Sequence, residues 1–118
     1  MMTAVFRQRG DAVDHIPQAD VAAGDVVVQG DLVGIAKLDI KAGQRGALAV
    51  TGVFAVPKAT GAGTGIAAGT KLHWNATAGV ATASADNGGT PPTAYPYLGK
   101  SILAAADADA SVQVRLSQ

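Results

Sequence analysis

The sequence predicts an all-β fold, a small single-domain barrel or sandwich of about eight short strands with little or no helix. All nine acidic residues are aspartate and none is glutamate. Aspartate favours turns over helix interiors, because its short carboxylate hydrogen-bonds the nearby backbone. Val and Thr, which suit a pleated strand, are abundant while Leu is sparse. The clearest segments alternate apolar and polar residues with a period of two.

The N-terminal half contains three candidate strand regions. Residues 3–8 form a plausible first strand. The text GDVVVQGDLVGIAKLDI, from Gly24 to Ile40, indicates a hairpin whose tight turn is Gln29-Gly30-Asp31. The run from Leu48 to Val56 predicts one strand, which Pro57 should close because proline cannot donate to a strand ladder.

The C-terminal half adds further strands separated by irregular segments. The last strand is the clearest, since Val112, Val114 and Leu116 alternate with polar residues. A strand followed by a turn is favoured over a helix in the alanine-rich segment 102–110. Residues 59–69 and 85–96 are predicted to be irregular because they are rich in Gly, Ala or Pro. The remaining predicted strands are residues 71–74, 80–83 and 98–105.

Length and charge bound the classes of function. The 118 residues fit one domain, 1–118, in which residues 1–10 are a possible N-terminal arm. The net charge is zero, so no long-range field would attract nucleic acid or a membrane surface. Cysteine is absent, which excludes disulfides and thiol chemistry. No signal-type or membrane-spanning apolar segment occurs, and we expect a soluble protein that is not exported.

Catalytic, cofactor and metal motifs are incomplete, so we expect no enzyme, no cofactor and no metal. Gly99-Lys100-Ser101 matches the end of a phosphate-binding loop, but Ala94 stands where that motif needs its first glycine. His15 and His73 lack a second ligand at a zinc-site spacing. The aspartates in turn-like text are predicted to form turns instead of acting as acids or bases. They are Asp11, Asp20, Asp25, Asp31 and Asp86.

Only five residues are aromatic, and the core must rely largely on small side chains. Such a domain gains stability from association, which favours a homo-oligomer. Trp74 has two interpretations: an anchor of the core beneath a strand, which we favour, or a residue of a subunit interface, where tryptophan is enriched.

Seven phrases of the sequence occur in a distinctive order: GDVVV from Gly24, LVGIA from Leu32, AG at Ala42, GVFAVPK from Gly52, GTKLHW from Gly69, LG at Leu98 and VQVRL from Val112. This order resembles that of the capsid cement, or head decoration, proteins of tailed bacteriophages. The resemblance covers residues 6–116, and members of that family often carry an automatic label of RecA/RadA-like recombinase. The incomplete phosphate-binding loop argues against that label.

The resemblance implies a structural virion protein, commonly a homotrimer, that docks on the outside of the expanded head and clamps neighbouring major capsid protein subunits. No catalytic residue is implied. The N-terminal segment is a candidate capsid-contact arm that could add a strand to a capsid sheet, and an ordinary first strand of the domain is the alternative. The candidate contact residues are Thr3, Val5, Phe6 and Arg7. Two other functions stay open: a carbohydrate-binding or other structural β-domain of a phage particle, and, with less support, a nucleotide-dependent recombinase.

Overall fold

A computed structural model describes residues 4–117, and within that range the protein is built from β-strands and contains no helix. The prediction of an all-β fold is confirmed. Among these residues, no helix exists that could cross a membrane. The strands are β1 (Ala12–His15), β2 (Val26–Gln29), β3 (Leu32–Ala36), β4 (Gly46–Ala49), β5 (Thr51–Pro57), β6 (Lys71–Asn75), β7 (Val80–Thr82), β8 (Tyr97–Ser101) and β9 (Ser111–Ser117).

The first four strands form one antiparallel sheet in the order β1-β4-β3-β2. We call it the four-stranded sheet. The predicted hairpin is confirmed, because Gln29 of β2 pairs with Leu32 of β3 across a two-residue turn. Gly30 holds the first position of that turn with a φ of 61°, a conformation that a residue with a Cβ rarely adopts.

The remaining strands form a second antiparallel sheet in the order β5-β9-β8-β6-β7. This sheet curls until its two edges meet, since Lys58, directly after β5, forms a parallel bridge with Ala81 of β7. The five strands therefore make a small barrel joined along its last seam by a single bridge. Closure of this kind removes the exposed sheet edges that would otherwise attract other strands.

The predicted strand over residues 48–56 is wrong, because the chain changes sheets at Val50. Leu48 belongs to β4, whereas the residues from Thr51 onward belong to β5 of the barrel. The amide of Val50 donates to the carbonyl of Asp11, 3.0 Å away. Apolar periodicity continues through this crossing and cannot reveal it. The predicted end of the strand at Pro57 is confirmed.

The predicted first strand, residues 3–8, is also wrong in its described part, residues 4–8, where no strand forms. These side chains are exposed and no sheet edge lies against them, so the first strand begins at Ala12 instead. At the other end of the chain, the predicted strand over residues 98–105 is too long, because β8 ends at Ser101 and residues 102–103 form a bend. The prediction that no helix forms over residues 102–110 is confirmed. Residues 59–69 and 85–96 are irregular apart from isolated bridges, which confirms their prediction.

Strand β3 joins the two sheets into one body because it is buried on both faces. Val33 and Ile35 pack into the main core with the side chains of the barrel. Ala36 packs on the other side with Ile40 and Leu48. Gly34 makes this second contact close, since a Cβ placed on it would lie 2.8 Å from the Cβ of Leu48. The barrel residues of the main core are Val56, Ile66, Leu72, Trp74, Ala81, Leu98, Ala105, Val112, Val114 and Leu116.

Candidate functional site

The N-terminal segment from residue 4 to residue 10 lies on the surface and belongs to neither sheet. The side chains of Val5 and Phe6 are 64% and 83% exposed, and Arg7 is exposed as well. Gln8 holds the segment by a single long hydrogen bond, in which its Nε2 donates to the carbonyl of Ala12 over 3.4 Å. Thr3, the remaining residue of the candidate arm, lies outside the described residues. The contact role of this arm stays a prediction.

An exposed phenylalanine is the chemical signal in this segment. Apolar area in contact with water contributes nothing to the stability of the isolated chain, and burial of one aromatic side chain stabilises a contact by about 1.5–3 kcal/mol. Phe6 therefore adds little to the stability of the fold, whereas its burial in a complex would stabilise that complex. The neighbouring Arg7 would add a charged hydrogen-bond donor to the same contact.

Trp74 lies in the main core, where only 8% of its surface is exposed. It stands on β6 opposite Ala81 of β7, and its amide donates to the carbonyl of Pro96 over 2.9 Å. This position agrees with the favoured interpretation, an anchor beneath the strands. A role of Trp74 at a subunit interface stays a prediction.

The aspartates predicted to form turns divide into those that bond or occupy a local turn and those that bond a distant segment. Asp25 accepts a hydrogen bond from the amide of Ala22, and Asp86 accepts one from the amide of Gly88. Asp20 reaches further and accepts from the amide of Ala42 over 2.9 Å. Asp31 occupies the turn between β2 and β3, whereas Asp11 accepts from the hydroxyl of Thr51 over 3.4 Å. These contacts hold loops in place. Asp20 and Asp25 line one small cleft of about 290 Å³, where each carboxylate already accepts a hydrogen bond from a backbone amide.

The partial nucleotide motif adopts a geometry that differs from a phosphate-binding loop. Gly99, Lys100 and Ser101 all lie within strand β8, whereas that loop must turn into the start of a helix so that successive amides face the phosphate. The Ser101 side chain is buried, and its Oγ donates to the carbonyl of Ala67 over 2.7 Å. These three residues are part of the barrel wall and do not form the loop that binds the phosphates of a nucleotide.

The two histidines lie in different sheets and face different neighbours. The Nδ1 of His15 lies 3.0 Å from the Oε1 of Gln29, so β1 and β2 approach each other at this end of the four-stranded sheet. His73 of β6 makes an edge-to-face contact with Tyr97. Within residues 4–117, no three His, Asp, Glu or Cys side chains group so that they could hold a metal ion.

Three cations form a row across the outside of the barrel, which we call the basic row. Lys71 of β6 pairs with Lys100 of β8, and Lys100 pairs in turn with Arg115 of β9. All three side chains are exposed. In the part of the chain that the structure describes, none of them forms an ion pair with a carboxylate. The Nζ of Lys71 lies 6.0 Å from the centre of the Tyr97 ring.

The basic row could not be predicted from the sequence, because its members are 29 and 15 positions apart in the chain and only strand pairing aligns them. One signal was available in the last strand, where Arg115 occupies a polar position of the alternation and so was predicted to face solvent. The alignment of the three cations depends on the register between strands, which the periodicity of a single strand does not determine.

Comparison with known proteins gives one family. The family model described as phage cement protein matches residues 7–116, which is nearly the whole chain and includes both sheets. Neither a curated protein sequence nor a solved structure gives a significant match.

Proposed function

Since the chain belongs to the phage cement protein family and is a structural protein of a phage capsid, we propose that it binds the outside of the capsid and holds neighbouring major capsid protein subunits together. The observation that supports this proposal most directly is the extent of the family match, from residue 7 to residue 116. The all-β architecture of residues 4–117 agrees with a protein that works through its surfaces.

The proposed mechanism depends on a difference in affinity between two capsid states. A protein that binds only the expanded lattice stabilises that lattice, whereas one that binds both states equally shifts nothing, however tight its contacts. Several copies or several contacts acting together raise the overall affinity without a new type of contact, because later contacts form at a high effective concentration. The cement function is thus a coupling between binding and the expanded arrangement of subunits.

The N-terminal arm is the proposed first point of contact with the capsid. Its backbone donors and acceptors are not engaged in either sheet in residues 4–10, so an extended segment could pair with an exposed strand edge of a capsid subunit. The exposed side chains of Val5 and Phe6 would then enter shallow apolar sites on alternate sides of the new strand. Arg7 would hydrogen-bond at the rim.

A homotrimer is the proposed assembly unit, and the family is the source of the number three. Exposed apolar side chains on several parts of the surface supply area that association between copies would remove from water. Among them are Ile16, Leu38, Val53 and Leu103, each more than half exposed. A trimer would present three arms to the lattice at once.

The test uses purified protein and isolated phage heads in the immature and the expanded form. We expect the protein to co-sediment with expanded heads, to raise their melting temperature, and to leave immature heads unbound. Absence of both co-sedimentation and stabilisation with expanded heads would refute the proposed function. Equal binding to both forms would refute the coupling to expansion.

The carbohydrate-binding alternative receives less support from the positions of the aromatic residues. A sugar-binding surface usually presents aromatic rings to solvent. Here Trp74 is buried, Tyr95 and Tyr97 are partly buried, and Phe6 lies in the arm. A glycan array probed with the labelled protein separates the two functions, since a cement protein should give no saturable signal.

A further inference from the structure

The basic row is energetically unfavourable within a single chain. Like charges placed directly opposite each other on neighbouring strands destabilise a sheet, and this row contains two such pairs, Lys71 with Lys100 and Lys100 with Arg115. No carboxylate of the described residues compensates them by an ion pair. Nothing in the fold itself therefore requires three cations at these positions.

The surface around the row has the composition of a protein interface. Val53 of β5, which is 52% exposed, continues the row as the partner of Arg115. Ile102, which is 41% exposed, lies beside β9, where its amide donates to the carbonyl of Gln113. Exposed aliphatic side chains beside arginine and lysine provide area to bury together with charges to pair.

The four-stranded sheet carries the opposite charge. Residues 11–49, which form this sheet and its loops, contain six of the nine aspartates and, apart from His15, three basic residues, Lys37, Lys41 and Arg45, so acidic residues are in excess. All six aspartates are exposed. Asp14 on β1 and Asp31 in the β2–β3 turn are the two whose carboxylates accept no hydrogen bond from the described residues. We call these two residues the acidic pair.

The acidic side also has apolar surface and a suitable shape. A cleft of about 710 Å³ opens between β1 and β2 and includes Asp14, Ile16, Asp20 and Val28 in its lining, together with His15 and Arg45. The side chains of Ile16 and Val28 are 57% and 40% exposed. Long cationic side chains bury their methylene groups against such walls while the charged end meets a carboxylate.

We propose that the basic row of one copy docks on the acidic four-stranded sheet of the next copy, so that identical chains associate head to tail. An interface between two different surfaces of one chain is heterologous, and it forms a closed ring when the rotation between copies allows. This inference rests on the homotrimer of the proposed function and assigns the surfaces that would build it. The partner is therefore a second copy of this chain.

Nucleic acid is the other polyanion that three aligned cations could bind. The charge of the whole chain argues against it, since six exposed aspartates on the four-stranded sheet would repel phosphates and the net charge is zero. The same aspartates favour association between copies.

The experiment is sedimentation equilibrium on the full chain, with charge reversal at each surface. The double variant Lys100→Glu/Arg115→Glu should weaken association by about tenfold or more, because it places carboxylates against carboxylates. Adding Asp14→Lys and Asp31→Lys to that variant should restore association. Wild-type association should weaken between about 50 and about 500 mM NaCl, where the screening length falls severalfold.

Two further variants separate an interface effect from a folding effect. Lys37→Glu/Lys41→Glu gives the same net charge as the first double variant but changes two exposed residues of the loop between β3 and β4. It makes the acidic surface more acidic and should not weaken association. Lys100→Gln/Arg115→Gln removes the repulsion within the row, so it should melt no lower than wild type at dilute concentration while associating more weakly.

The inference is overturned if the Lys100→Glu/Arg115→Glu variant associates like wild type, or if the four-residue reversal does not restore association. It is also overturned if the row variants lose affinity for duplex DNA while association is unchanged, because the partner would then be nucleic acid. Failure of the proposed function is a separate result, namely wild-type protein that does not bind expanded heads in the sedimentation test.

Discussion

Gly99 of β8 lies directly against the backbone of Arg115 in β9. A Cβ placed on Gly99 would stand 2.1 Å from the carbonyl oxygen of Arg115 and 2.9 Å from its carbonyl carbon. These are contacts that no side-chain adjustment relieves, because the neighbouring atoms belong to the main chain. The absence of a side chain at position 99 thus lets the two central strands of the barrel approach each other.

We expect Gly99→Ala to lower the free energy of unfolding by about 1–3 kcal/mol or more, since overpacking against backbone forces the strands apart. Urea titration followed by circular dichroism measures this effect. The control is Gly10→Ala, where a Cβ meets no atom within 4 Å. Equal stability of the two variants would contradict the close approach of β8 and β9.

Alanine substitutions at Trp74 and at Phe6 should have very different effects on the stability of the protein. Trp74→Ala removes a side chain that is 8% exposed and should lower the free energy of unfolding by about 3–5 kcal/mol. Phe6→Ala removes one that is 83% exposed and should change it by less than about 0.5 kcal/mol. Parallel urea titrations at one protein concentration make the comparison. A Trp74→Ala variant as stable as wild type would show that this residue does not anchor the core.

Asp107 should stabilise the irregular segment of residues 59–69. Its carboxylate accepts from the amide of Gly65 over 2.6 Å and from the amide of Gly63 over 3.4 Å. Asp107→Ala should therefore lower stability by about 1–2 kcal/mol and speed amide hydrogen exchange in that loop. Asp31→Ala is the matched control, because no hydrogen bond is lost from its carboxylate. Unchanged exchange at Gly65 would refute the anchoring role of Asp107.

Shortening the N-terminal arm should weaken capsid binding without unfolding the domain. Deletion of residues 1–9, or the single change Phe6→Ala, should lower the affinity for expanded heads by at least about tenfold, the loss expected when one aromatic side chain is no longer buried. Gln8→Ala is the control within the same segment, since its side chain makes one long exposed hydrogen bond. Binding isotherms on heads measure all three variants. Full affinity of the deletion variant would refute the arm.

The protein should neither bind nor hydrolyse ATP. The residues that mimic a phosphate-binding loop are part of β8, and Ser101 is 3% exposed with its hydroxyl donated to Ala67. Isothermal titration calorimetry with magnesium and ATP should show no heat of binding at micromolar affinity. A measurable dissociation constant in that range would require β8 to open and would revive the recombinase interpretation.

Local features of the chain were predictable because their causes are local. The Gly30-Asp31 turn requires a positive φ that glycine adopts readily, and alternation in residues 111–117 marks which side chains are buried. The strand through residues 48–56 was mispredicted for the same reason. Its apolar period persists while the backbone crosses from one sheet to the other at Val50, and no local signal marks that crossing.

By itself, the sequence determined the all-β class, the β2–β3 hairpin, the turns at Asp25, Asp31 and Asp86 and, through the order of its phrases, the family. Each of these depends on residue type and spacing within a few positions, where backbone preferences act. Only the tertiary structure decided that β5 to β9 close into a barrel, that Trp74 lies inside it, and that Lys71, Lys100 and Arg115 stand in one row. Strand order and register depend on contacts between segments far apart in the chain, and periodicity within one strand carries no information about its partner.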